Sequence, residues 1–237
     1  MRRFFSPPEG FTSTGVTLDI DETRHLRDVL RLRQGEDVSV FDGTGKEFLC
    51  EVAKISKNDS SLTIIEEIEP ASPESSFEIT IAPTVLNGEK YDLIVQKAVE
   101  LGVVSLIPLV TIRGDVKAKD AAKRLTRWRR IALEATKQTG RAKLMEIGEP
   151  VRFEDLVTSS REMVLLSERN GTSPFPSKFG KNITALYGPK GGWDDSELEM
   201  AANNGVTIIT LGGRILRAET AAIAITAILQ HRFGDLN

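Results

Sequence analysis

Between residues 38 and 65, apolar and polar positions alternate in short runs separated by clusters of turn formers, the pattern of strands with one buried face. Residues 38–41 run into Asp42-Gly43-Thr44-Gly45. Residues 47–55 alternate, and Lys57-Asn58-Asp59-Ser60 turns the chain into residues 61–65. This predicts a small β-barrel, preceded by a short helix that Thr23 caps and that runs to about Leu30. Glu69-Pro70-Ala71-Ser72-Pro73-Glu74-Ser75-Ser76 is a polar, proline-bearing joint, and it sets the expected domains at residues 1–70 and 77–237.

Beyond the joint the rhythm becomes strand and helix in alternation. Residues 77–82 read as a strand, 91–101 as a helix ending at Gly102, and 103–110 as an apolar strand interrupted by Pro108. Residues 119–139 predict a basic amphipathic helix stopped by Gly140, with Leu125, Trp128, Ala132 and Ala135 on its buried face. Residues 163–166, 184–187 and 206–211 are three more buried strands, each followed by a loop. Such alternation predicts an α/β domain around a mostly parallel sheet, with ligands at the carboxyl ends of the strands. The most apolar stretch, residues 221–229, is too short to span a membrane and predicts a buried helix. That helix has almost no polar face, so a second subunit is expected to cover it.

Charge alters this picture. The net value of −3 conceals a segment, residues 113–143, with eleven Lys/Arg against three acids. A smaller basic cluster (Arg24, His25, Arg27, Arg31, Arg33) joins Arg2 and Arg3 near the start. Two such clusters point to a polyanion, with Arg2, Arg3, His25, Arg27, Arg124 and Arg127 as candidate contacts. The single cysteine, Cys50, shares parity with Phe48 and Val52 and reads as a small buried hydrophobe. His25 and His231 lie far apart and no Cys/His pair has ligand spacing, so neither a metal site nor a Ser-His-Asp triad is expected. The apolar run at the start ends after Phe4-Phe5, which implies no secretion and a cytoplasmic protein.

Two glycine-bearing loops carry the candidate chemistry: Tyr187-Gly188-Pro189-Lys190-Gly191-Gly192-Trp193 and Leu211-Gly212-Gly213-Arg214-Ile215-Leu216-Arg217. Each follows a buried strand, where glycine lets the backbone approach a ligand and offer its amides to a heterocycle. Neither loop has the spacing of a phosphate-binding loop or of a dinucleotide fingerprint.

These loops, with Met1-Arg2-Arg3-Phe4-Phe5, His25-Leu26-Arg27-Asp28-Val29-Leu30-Arg31, Phe41-Asp42-Gly43, Gln96-Lys97-Ala98-Val99-Glu100-Leu101-Gly102, Ile107-Pro108-Leu109, Arg127-Trp128, Gln138-Thr139-Gly140-Arg141 and Glu219-Thr220-Ala221, closely resemble the small-subunit ribosomal RNA uridine N3-methyltransferases of the SPOUT superfamily. The resemblance runs almost the whole length. It implies a PUA-like barrel to about residue 70, a trefoil-knotted α/β methyltransferase domain after it, and a homodimer acting on 16S rRNA of the small ribosomal subunit. It further implies that S-adenosylmethionine lies against three loops: Leu166 and Ser167 beside Glu168; Gly188, Gly191 and Gly192; and Leu211, Gly212, Ile215 and Leu216. The chain departs from the family at Lys190 (usually glutamate), Gly213 (usually proline) and Ala218 (often threonine).

Uridine N3 keeps its imide proton at neutral pH, so methyl transfer there requires that proton to leave and the resulting negative charge on uracil O2 and O4 to be stabilised. Arg217 is the first candidate for that charge and Arg214, also an RNA contact, the second. Glu219 is a candidate base, although an acid at a helix start is more often there because the helix dipole favours it. A SPOUT enzyme acting on tRNA or on a ribose hydroxyl, or an RNA-binding assembly protein that has lost catalysis, stays open as an alternative.

Overall fold

The computed structural model describes residues 2–169, 175–212 and 214–236. Gly213 therefore lies outside the described residues. The chain forms two compact units: Met1–Glu74 with Thr136–Leu144, and Ser75–Ala135 with Met145–Asn237.

The first unit holds a five-stranded sheet built from β1 (Arg3–Phe5), β2 (Gly15–Leu18), β3 (Asp37–Phe41), β4 (Glu47–Ile55) and β5 (Ser60–Ile68), in the order β1-β3-β4-β5-β2. All its pairs are antiparallel except β1 with β3. Alternate residues (Val38 and Val40; Cys50 and Val52) point into one core with Phe4, Leu18, Leu26 and Leu62. Cys50 is fully buried, and burial pushes its thiol up to about 12, so it behaves as the hydrophobe that its parity implies. Between β3 and β4 the Asp42 carboxylate accepts from the backbone of Thr44 (2.7 Å) and Lys46 (3.2 Å), while Gly43 and Gly45 take positive φ. An aspartate that bonds its own turn explains why Asp42-Gly43-Thr44-Gly45 closes the hairpin.

The short helix differs from expectation at its start. Helix α1 (Ile20–Arg24) is capped by Asp19, whose carboxylate accepts from the amides of Asp21 (3.0 Å) and Glu22 (2.8 Å), and not by Thr23. Thr23 is buried inside the helix, its hydroxyl bonded to Ser60 Oγ at 3.1 Å. The helix then widens into a π turn over His25–Val29, which closes with Leu30 N on His25 O.

The second unit contains a six-stranded sheet of order β13-β11-β12-β6-β7-β9, every pair parallel. Its strands are β6 (Glu78–Pro83), β7 (Ser105–Leu106), β9 (Glu146–Ile147), β11 (Met163–Leu166), β12 (Asn182–Tyr187) and β13 (Thr207–Ile209). Helices cover both faces, which is why these strands read as continuous apolar runs. Ile79, Ile81, Val164, Ile183 and Ala185 pack on one side with α2 (Glu89–Glu100), α4 (Leu125–Thr139) and α7 (Ala218–Phe233). Ala82, Met163, Leu165 and Leu186 pack on the other with α5 (Phe153–Val157) and α6 (Asp195–Asn203).

Two expected elements are each divided. The apolar run 103–110 becomes β7 and β8 (Leu109–Val110), with β8 pairing β10 (Val151–Arg152) in a separate two-stranded sheet. Pro108, lacking an N–H, sits at the break. The basic helix becomes α3 (Ala118–Ala122) and α4, separated by a tight turn in which Arg124 N bonds Ala121 O at 2.9 Å. This turn lets Ala121 and Leu125 both face the core, while Leu125, Trp128, Ala132 and Ala135 are buried as their spacing requires. No described helix is long and apolar enough to cross a membrane.

Candidate active site

Three adjacent strands, β13, β11 and β12, end on the same side of the parallel sheet, and the loops leaving them enclose a cavity of about 470 Å3. This is the carboxyl edge, where open α/β sheets bind ligands. Leu166, Ser167 and Glu168 come from the first loop, Gly188, Pro189, Lys190, Gly192 and Trp193 from the second, and Leu211, Arg214, Ile215, Leu216 and Arg217 from the third. Tyr187 at the end of β12, Ala218, Glu219 and Ala221 of α7 and Lys90 of α2 complete the lining.

Each loop is shaped by identifiable bonds. The Trp193 indole is 6% exposed, packs on Phe153 at 5.2 Å, and donates from Nε1 to Leu166 O at 2.7 Å, which ties the second loop to the end of β11. Gly188 lies under that ring, so a Cβ there would come within 2.9 Å of Trp193 Nε1. Gly192 has φ of 71°, and its Cβ would crowd Glu168 Oε1 at 3.1 Å. Ser167 is buried, with its hydroxyl on the Arg169 carbonyl and its amide on Ile209 O at 3.0 Å. The sequence-predicted glycines are not equivalent: Gly191 and Gly212 belong to the same loops but do not line the cavity. Ile215 is 79% exposed at the rim.

Glu219 sits in the first turn of α7 with Lys90 Nζ 3.2 Å from Oε1. Burial acts to raise its carboxyl, but its own backbone amide, Lys90 and the charge of Arg217 outweigh that and hold it below the ordinary glutamate value. It is therefore ionised at neutral pH and weakly basic. Arg217, the N-cap residue of α7, is exposed at the rim beside it. Sequence reasoning missed Lys90 because nothing in the spacing of a helix start says which cavity it faces.

The basic candidates divide. Arg3 gives its guanidinium to Glu47 in two bonds (2.8 and 2.9 Å), to the carbonyls of Thr136 and Arg141, and to the Phe41 ring at 4.2 Å, so it is committed inside the first unit. Arg2 pairs with Glu36 at 3.1 Å, and Arg27 bonds Asp28 and the carbonyls of Ser56 and Lys57. His25 is half-buried 5.8 Å from the Phe4 ring. Arg124 donates to Leu86 O at 3.2 Å, Arg127 is exposed and reaches Asp92 at 2.6 Å, and of the candidate RNA contacts only Arg214 lies at the cavity, with Arg217. Among the described residues no three His, Cys, Asp or Glu side chains gather as metal ligands.

A parallel sheet with such a cavity defines a class of protein. Residues 73–230 match the RNA methyltransferase domain family, and residues 18–65 match the RNA methyltransferase PUA domain. The chain belongs to the ribosomal RNA small subunit methyltransferase E family, an α/β fold with a PUA-like N-terminal domain and a methyltransferase domain. It is 32% identical to the protein of that name from Aquifex aeolicus over 89% of this chain and 91% of the relative. For the Bacillus subtilis protein the identity is 31%, covering 88% and 87%. The crystal structure of the Neisseria gonorrhoeae enzyme bound to S-adenosyl methionine superposes with a TM-score of 0.89 at 32% identity over all of both chains. A putative methyltransferase from Legionella pneumophila, also with bound cofactor, gives 0.87 at 30% identity, covering 99% and 98%.

Proposed function

We propose that this protein transfers a methyl group from S-adenosylmethionine to N3 of a uridine in 16S rRNA. The observation that carries the reading is the cradle of about 470 Å3 that three loops form at the carboxyl edge, where Gly188 and Gly192 let the second loop pack closely on Trp193 and Glu168. The residues fit the cofactor: the backbones of the three loops suit the adenine edge and ribose, and Glu168 and Glu219 offer negative charge to a cationic amino-acid sulfonium. When bound, the cofactor supplies an electrophilic methyl carbon on positive sulfur.

This chain's own residues then orient and neutralise. As the uracil N3–H proton leaves to solvent and N3 forms its bond to carbon with loss of the C–S bond, negative charge grows on O2 and O4. Arg217, with Arg214 in the same cavity lining, would meet that charge. Glu219, held ionised, anchors Lys90 at the cavity and is a poor acceptor for the imide proton. The exposed Arg2 and Arg127, with the half-buried Arg27, His25 and Arg124, are assigned to RNA phosphates, so RNA binding weakens with salt. Arg3 has an internal role.

In the same reading the N-terminal sheet is a PUA-like barrel, the C-terminal unit is the trefoil-knotted SPOUT domain, and the enzyme works in the cytoplasm on ribosomal RNA. Ile223, Ala224, Ala227 and Ile228 of α7 are only half-buried within one chain, which supports a homodimer through that helix. Sedimentation showing only monomer at micromolar concentration would count against the dimer.

The test is methylation of small-subunit RNA followed by nucleoside mass spectrometry. N3-methyluridine is expected, with a rate that rises between about pH 6 and 8 as the small anionic fraction of the imide grows, while Glu219 is ionised throughout. A flat profile would make Glu219 or another group the base. Product confined to tRNA or ribose hydroxyls would overturn the substrate assignment, and no binding of S-adenosylmethionine or S-adenosylhomocysteine would overturn the enzyme.

A further inference from the structure

The glycine loop of the cavity is held from outside by a segment that does not line the cavity and that charge alone places at the start of the basic cluster. Between β8 and α3 the chain runs as a strap over residues 111–117. Arg113 in its middle donates to Trp193 O at 2.9 Å and to Gly191 O at 3.5 Å, and its other terminal nitrogen meets Asp194 Oδ2 at 3.1 Å. One planar guanidinium thus bridges the end of the glycine loop and the cap of the helix that follows it. A lysine has one donor centre and cannot span these partners together.

A second tie runs through Glu197. This carboxylate is 3% exposed, and it accepts from Ile112 N at 2.9 Å through Oε1 and from Asp194 N at 3.0 Å through Oε2. Its Oε2 bond is half of the capping box that starts α6, so the strap is fastened to a capped helix end. Asp115 and Lys190 add a looser exposed pair at 3.8 Å, which contributes little by itself. The inner side of the loop is fixed by the Trp193 bond to Leu166 O, and the outer side by this strap.

Resting on the cofactor reading above, we infer that Arg113 is a positioning residue which, seated by Glu197, holds residues 188–193 in the geometry that receives the cofactor. It touches neither cofactor nor reacting atoms. Its removal frees the loop while the sheet, whose core lies elsewhere, stays folded. Cofactor affinity then falls because the ordering of the loop must be completed on binding.

The experiment compares the full chain with Arg113→Ala and Arg113→Lys by amide hydrogen exchange without ligand and by calorimetry with S-adenosylhomocysteine. In Arg113→Ala, amides of residues 188–193 should exchange faster while those of β6 and β12 do not change, and the Kd should rise roughly tenfold, the size of one lost charge-assisted bond. KM for the cofactor should rise with kcat nearly unchanged. Arg113→Lys, which keeps the charge beside Asp194, should recover part of the affinity, and it carries the test alone if the alanine variant does not fold. Loop exchange at the parent rate overturns the proposal, as does an unchanged Kd. A parent chain that binds no cofactor overturns the enzyme reading instead, and the exchange rates still decide the strap.

Discussion

Replacing Arg217 with lysine is expected to lower turnover by roughly 10 to 1000 fold, about 1.4 to 4 kcal/mol of transition-state stabilisation, while cofactor affinity changes little. Arg217 stands at the first residue before α7, in extended conformation, with its side chain exposed at the cavity rim. A guanidinium there can present two parallel donors to a planar anion, which a single ammonium cannot reproduce. A residue that only packed its stem or balanced Glu219 would cost some stability and leave the chemical step intact. Single-turnover rates on the RNA substrate, taken with the thermal midpoint and the cofactor Kd, separate the two. Normal chemistry in a folded variant would remove Arg217 from the mechanism.

Gly188→Ala is expected to weaken cofactor binding on the order of 100 fold, the scale of a misplacement by about 1 Å at a site. The new Cβ would lie 2.9 Å from Trp193 Nε1 and 3.0 Å from Cε2, atoms of a rigid ring that cannot swing aside. Moving that ring breaks its bond to Leu166 O and disturbs its packing on Phe153. Overpacking and an orphaned carbonyl should together cost about 1–3 kcal/mol of stability. Gly191→Ala is the control, because its nearest neighbour would be Arg113 Cβ at an ordinary 3.8 Å. Calorimetry with S-adenosylhomocysteine and thermal melts of both variants check this. Equal affinity in the two would mean that the Gly188 contact with the indole does not shape the site.

The two variants also differ in how far the sequence could foresee them. Glycines after buried strands were legible as ligand loops, yet the sequence ranked Gly188, Gly191, Gly192 and Gly212 alike. The structure separates them because the crowding at Gly188 comes from Trp193 and that at Gly192 from Glu168, neighbours brought in by the fold. Charge was misleading in a similar way. Arg3 reads as a polyanion contact by its place in a basic cluster, but Glu47, backbone carbonyls and the Phe41 ring take up its guanidinium.

What the sequence by itself determined is local: the parity of β3 and β4, the buried face of α4, the apolar strands of a doubly covered sheet, and the loops at their ends. Periodicity reports which side of an element meets the core, and that property belongs to the element alone. Tertiary structure decided which elements are neighbours. The order β13-β11-β12 placed three loops around one cavity, and α2 delivered Lys90 to Glu219. The strap after β8 reached Trp193 and Asp194, and Ser60 drew Thr23 inward so that Asp19 became the cap. These are pairings between residues far apart in the chain, chosen by the packing of the whole sheet, and no pattern within a single segment encodes them.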